Sequence, residues 1–148
     1  MAEQQPLTPF TVSVAGAEDA VRSGLAKTMT CLAPLSLSED DAGTVELVLA
    51  EALNNVIEHA LAATDGQTAI EIHGKHDMEG LHLSIIDQGV AMPKGRAPTA
   101  CAPDVNVAMA DMPEGGFGWF MIHTLAQEVQ YVRIGDENHL TLTISIRS

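Results

Sequence analysis

Hydrophobic and polar positions divide the chain into elements. "FTVSV" sets Phe10, Val12 and Val14 on one side, the period of two that predicts a half-buried edge strand. "AGAEDAVRSGLAKTMTCLAPL" has helical periodicity and ends near Pro34. Ser38 in "LSED" is the expected N-cap of a second helix running to about Ala62, and Asp40 and Asp41 suit the positive end of its dipole. After a turn at "ATDGQ", the segments "TAIEIHGKH" and "LHLSIID" alternate and are joined by "DMEG", which predicts a hairpin. Residues 88–114 show no stable period and are rich in Pro, Ala, Gly and Met, as expected of a functional lid or a disordered connection. "GGFGWFMIHTLAQ" predicts a glycine turn opening a helix. "EVQYVRI", a turn at "GDEN" and "HLTLTISIR" predict a last hairpin, with Leu140, Leu142, Ile144 and Ile146 on one side. Residues 1–8 are expected to form a loose leader. Helices and strands are grouped rather than alternating. That order predicts an α+β two-layer sandwich, one domain over 1–148, with helices on one face of a mixed, mostly antiparallel sheet.

The second helix carries an anomaly. Val45, Val48, Leu49, Ala52, Leu53, Val56 and Ala60 share one apolar face, and Glu51, Asn55 and His59 run along its border at i, i+4 and i+8. A carboxylate, an amide oxygen and an imidazole in line suit a hydrated metal ion or an attacking hydroxyl. Solvated flank residues or caps for a neighbouring loop account for the stripe equally well. In "LHLSIIDQG", counting by two puts Asp87 on the core face with Leu81, Leu83 and Ile85. A carboxylate there is costly unless it is paired or bonds a ligand. Followed by Gly89, it could accept a hydrogen bond from an exocyclic amine such as that of adenine, or simply cap the turn. "EGGFG", Glu114 to Gly118, precedes an apolar helix. Glycines there admit close backbone approach, and a helix N-terminus offers N–H groups to phosphate. A plain loop-to-helix turn would look the same.

Composition narrows the classes. The 148 residues are 46% hydrophobic but 3% aromatic, so the core must be aliphatic. A net charge of −13 with no basic cluster argues against a nucleic-acid partner. Any nucleotide would have to be held by local donors and a metal ion against that field. Cys31 and Cys101 match no metal spacing and are expected to be reduced thiols, and "HGKH" at 73–76 has no third ligand nearby in sequence. No apolar run spans a membrane and the N-terminus has no secretion signal, so a cytoplasmic protein is expected.

Taken in order, "EALNNVIEHA", "DQGVAMP", the lid and "EGGFGWFMI" resemble the N box, first glycine box and second glycine box of the GHKL ATPase superfamily. The pattern E-x-x-x-N-x-x-x-H, matched by Glu51, Asn55 and His59, is most similar to the bacterial anti-sigma factor serine kinases. The resemblance covers the chain from "FTVSV" to the final hairpin. It implies a Bergerat-type ATP-binding sandwich. It implies that Asn55 coordinates Mg²⁺, that Glu51 is the general base for a serine hydroxyl, and that His59 lies near the sugar or phosphate end. Asp87 would bind the adenine amine with Gly89 beside the base. Gly115, Gly116, Phe117 and Gly118 would form the phosphate loop, with Gly116 and Gly118 as its cradle. ATP and Mg²⁺ are the implied cofactors. An anti-anti-sigma (STAS-domain) protein, a sigma factor and a second copy of the chain are the implied partners. Two departures stand out: the second Gly of the usual D-x-G-x-G is Ala91, and Lys94 and Arg96 are the only cations in the lid. An ATP-binding partner-switch module with little phosphotransfer is the alternative. A detached sensor histidine kinase domain is a third reading, disfavoured because no phosphoacceptor hairpin precedes the N box.

Overall fold

The computed structural model describes residues 7–15, 19–60, 69–91 and 116–146. Strand β1 (Phe10–Ala15) leads to helix α1 (Asp19–Cys31), a 3₁₀ turn (Ala33–Leu35) and helix α2 (Glu39–Asn55). A π-helical turn (Val56–Ala60) continues α2. Then come β2 (Ala69–Asp77), β3 (Gly80–Asp87), α3 (Gly116–Leu125), β4 (Glu128–Ile134) and β5 (Glu137–Ile144). The strands form one sheet in the order β1-β2-β3-β5-β4. The α+β class is as expected, and β1 is an edge strand. Where a mixed sheet was allowed for, every described ladder is antiparallel.

Local chemistry sets the boundaries. Ser38 Oγ accepts the Asp41 N–H at 3.1 Å, the expected N-cap, and Glu39, Asp40 and Asp41 fill the first turn. The β2–β3 hairpin closes through Met78 and Glu79, with Asp77 Oδ1 accepting the Glu79 N–H at 2.9 Å. Gly80 adopts φ +135°, and a Cβ there would lie 2.5 Å from the Ile144 carbonyl oxygen, so that position admits no side chain. The last turn is shorter than expected. It consists of Gly135 and Asp136, and β5 begins at Glu137 rather than His139.

The helices cover one face of the sheet in the order α1, α2, α3: α1 packs on β1 and α2, and α3 packs on α2 and β4. Val45, Val48, Leu49, Ala52 and Leu53 of α2 are buried in one cluster with Ile70, Ile72, Leu81, Leu83, Ile85, Leu140, Leu142 and Ile144 of the sheet. Each such aliphatic side chain contributes about 1.5–3 kcal/mol through burial. Ile122 of α3 is fully buried, the core role expected within "WFMI". On β1, Phe10 lies across Gly74 of β2, so closely that a Cβ at Gly74 would be 2.3 Å from the ring.

The other face of the sheet is polar across β2, β3 and β5 near His82 and Ser84, with Val132 and Ile134 of β4 exposed at its edge. Ser84 bonds Thr141 at 2.9 Å, and His82 bonds Thr143 at 3.1 Å and Asp77 at 2.8 Å. The bond from His82 holds the Asp77 carboxyl below its ordinary value. His73 of "HGKH" bonds Glu71 at 3.0 Å. A hollow of about 530 Å³ opens on this face, lined in part by His73, His82, Thr141 and Thr143.

Candidate functional site

The middle helix and the middle strand each carry one buried polar group near the C-terminal end. Asn55 closes α2 and is 4% exposed. It is more enclosed than the half-covered border expected for its stripe. The alternation of β3 carries Asp87 to the helix side, as expected, where it is 2% exposed. Neither residue lines the hollow on the opposite face.

The side-chain Nδ2 of Asn55 is buried and has no hydrogen-bond partner among the described residues. An amide left so in the interior costs about 1–3 kcal/mol, and Thr28 Oγ1 on α1 is buried in the same way among the described residues. Rotation of the amide exchanges its donor and its acceptor, so the same position offers a metal ion an oxygen. Glu51 precedes it by one turn and is half-buried. The backbone from Val56 to Ala60 is π-helical, and the Val56 N–H is shared between the Ala52 and Leu53 carbonyls. The α-helical spacing that aligned His59 with Asn55 therefore does not hold there. The His59 side chain lies outside the described residues.

Asp87 is surrounded by donors on one side. Its Oδ1 accepts the Gly89 N–H at 2.8 Å and Asn138 Nδ2 at 2.8 Å. Burial pushes its carboxyl above the ordinary value, against those two bonds and the electrostatic pull of the neighbouring Arg133. Asn138 pairs directly with Asp87 in the β3–β5 ladder and is 3% exposed. Its Oδ1 accepts from the Tyr131 hydroxyl and from Arg133 Nη1. Arg133 Nη1 also donates to the Gly89 carbonyl at 2.7 Å. Asn138, Tyr131 and Arg133 were missed in the sequence, where Asn138 falls in the presumed "GDEN" turn. The two-residue hairpin is the signal that could have found it, because a turn at Gly135–Asp136 starts the strand early enough to include Asn138.

The glycine segment is divided. Gly116, Phe117 and Gly118 form the first residues of α3, which packs against α2, while Gly115 lies outside the described residues. Of the expected lid 88–114, residues 88–91 are described. Lys94, Arg96 and Cys101 fall outside, and so do residues 1–6 of the expected leader. Ala91 is exposed. Among the described residues no helix is long and apolar enough to cross a membrane.

Comparison with known proteins bears on this geometry. The serine-protein kinase RsbW of Bacillus mycoides (strain KBAB4) is 26% identical over 97 residues, which cover 65% of this chain and 59% of that protein. RsbW of Bacillus cereus (strain AH187) is 27% identical over 92 residues, 62% of this chain and 56% of the relative. The aligned stretch thus spans less than two thirds of either relative. The crystal structure of the RsbU and RsbW domains of Rv1364c from Mycobacterium tuberculosis superposes with a TM-score of 0.67 at 20% identity, over 97% of this chain and 34% of that one, which shows the shared fold. A family model described as the histidine kinase-like ATPase domain matches residues 14–144. With a sheet of this order, a buried carboxylate on its middle strand and a buried asparagine on its middle helix, the chain belongs to the histidine kinase-like ATPase domain family.

Proposed function

We propose that the chain is an ATP-dependent protein-serine kinase. In this reading it phosphorylates a serine on an anti-anti-sigma (STAS-domain) protein and sequesters a sigma factor, acting in the cytoplasm as a homodimer without contacting nucleic acid itself. The observation that carries the reading is the amide nitrogen of Asn55, buried without a partner among the described residues on the helix of the E-x-x-x-N-x-x-x-H pattern. Its donor set fits Mg²⁺ through the amide oxygen. When bound, that ion would neutralise phosphate charge.

The chain's own residues supply the rest. Asp87 accepts the exocyclic amine of adenine, with Gly89 beside the base. Gly115, Gly116, Phe117 and Gly118 present backbone N–H groups to the phosphates at the start of α3. His59 lies toward the sugar or phosphates. Residues 88–114 act as the lid of a single ATP-binding unit. The serine Oγ bonds to the γ-phosphorus as the bond from that phosphorus to the bridging oxygen of ADP breaks. Glu51 takes the hydroxyl proton.

Calorimetry tests the pocket. Mg²⁺-dependent ATP binding is expected for the wild type and its loss for Asp87→Asn; a folded wild type that binds no ATP would rule the reading out. Glu51→Gln is expected to keep ATP binding and to lose about 10²–10⁴-fold in phosphotransfer to a STAS protein. An unchanged rate removes Glu51 as base. The second reading, a partner-switch module with little phosphotransfer, draws on Ala91, where the family pattern has glycine. It is favoured if ATP binds and neither protein transfers phosphate.

A further inference from the structure

The Asn138 amide holds an orientation that only one hydrogen-bonding scheme allows. Its oxygen receives the Tyr131 hydroxyl and, at 3.0 Å, Arg133 Nη1. Its nitrogen donates to Asp87 Oδ1 at 2.8 Å and to the Val90 carbonyl at 3.0 Å, with the Gly89 carbonyl at 3.4 Å. Turning the amide over would set its oxygen against a carboxylate and two carbonyls, and its N–H groups against a guanidinium. Arg133 thus locks the nitrogen toward Asp87. The Gly89 N–H and Asn138 together occupy Oδ1 of Asp87, and among the described residues Oδ2 receives no hydrogen bond. One carboxylate oxygen is anchored in the protein and the other carries no bond from the described residues.

We propose that Asn138, oriented by Tyr131 and Arg133, is a positioning residue that holds Oδ2 of Asp87 as an acceptor toward the base, and so sets a preference for 6-aminopurine over 6-oxopurine nucleotides. This rests on the ATP pocket proposed above. A 6-amino group donates to that oxygen. A 6-oxo group presents a second acceptor to it and is repelled. Without Asn138 the buried carboxyl loses a donor that favours its charged form. A protonated Asp87 would donate to a 6-oxo group, so the discrimination is lost rather than the pocket.

The experiment compares Mg²⁺-ATP and Mg²⁺-ITP by calorimetry on the wild type, Asp87→Asn, Asn138→Leu and Arg133→Ala, with a thermal melt for each. The wild type is expected to favour ATP about tenfold or more, the worth of one hydrogen bond to a charged group. Asn138→Leu is expected to bring the ratio to within about threefold of unity while ITP still binds. Arg133→Ala, which removes one of the two donors to the amide oxygen and a positive charge that favours the ionised Asp87, should lower the ratio in the same direction and decides the matter if Asn138→Leu does not melt cooperatively. A folded Asn138→Leu that keeps the wild-type ratio overturns the proposal, and so does a parallel loss of both nucleotides, which marks a merely structural residue. A wild type that binds neither nucleotide, or an Asp87→Asn variant that keeps the ratio, removes the pocket itself and the proposal with it.

Discussion

Burial of Asp87 opposes folding at neutral pH. Its carboxyl titrates above the ordinary value of 3.8 because the interior disfavours its charge. The unfolded chain therefore loses this proton first as pH rises. Stability associated with Asp87 is full below pH 3.8 and declines as pH climbs through the raised folded value. Asn at this position keeps a carbonyl acceptor for the Gly89 and Asn138 donors and removes the charge. Asp87→Asn is thus expected to melt at a higher temperature than the wild type at pH 7, with the gap closing toward pH 4. A lower Tm at pH 7 would show that the donors around the carboxylate outweigh its desolvation. Alternation along "LHLSIID" was enough to place Asp87 inward. Its partner was not legible, because Asn138 is 51 residues away and reaches Asp87 through register, which depends on the length of a turn.

Elements carried a clear signal wherever a period or a cap was strong. The Ser38 cap, the alternation of β3 and β5, and the aliphatic face of α2 all stand where residue spacing put them. The π turn after Asn55 was not legible, because i→i+5 bonding leaves no side-chain pattern of its own. Gly74 was equally silent, since its role is to make room for the Phe10 ring on the neighbouring strand. Gly74→Ala is expected to displace that ring from the core and to destabilise the fold by about 1–3 kcal/mol. Urea titration measures this as a lower midpoint at an unchanged slope. A midpoint equal to the wild type's would mean that β1 can shift at no cost.

Across the whole molecule, the charge of −13 surrounds a pocket proposed to take a polyanion. That field raises the work of bringing ATP to the surface, and salt screens it over about 10 Å at 0.1 M. Mg²⁺-ATP, still a net anion, is therefore expected to bind more tightly as NaCl rises from about 20 to about 200 mM at saturating Mg²⁺, the reverse of ordinary anion binding. Calorimetry across that salt series reads the trend directly. Weakening with salt would reveal a local excess of cations stronger than the global field.

The π turn has a consequence for chain length. A π-helical turn holds one residue more than the α-helix it interrupts. Removing a single residue between Val56 and Ala60 would let the α-helix run on past Asn55 unbroken, and the helix would leave that turn at nearly the same bearing, because the wider turn already absorbs the extra residue. The amide of Asn55 would stay in place. A one-residue deletion here would therefore be taken up as slack, leaving the core of α2 in phase.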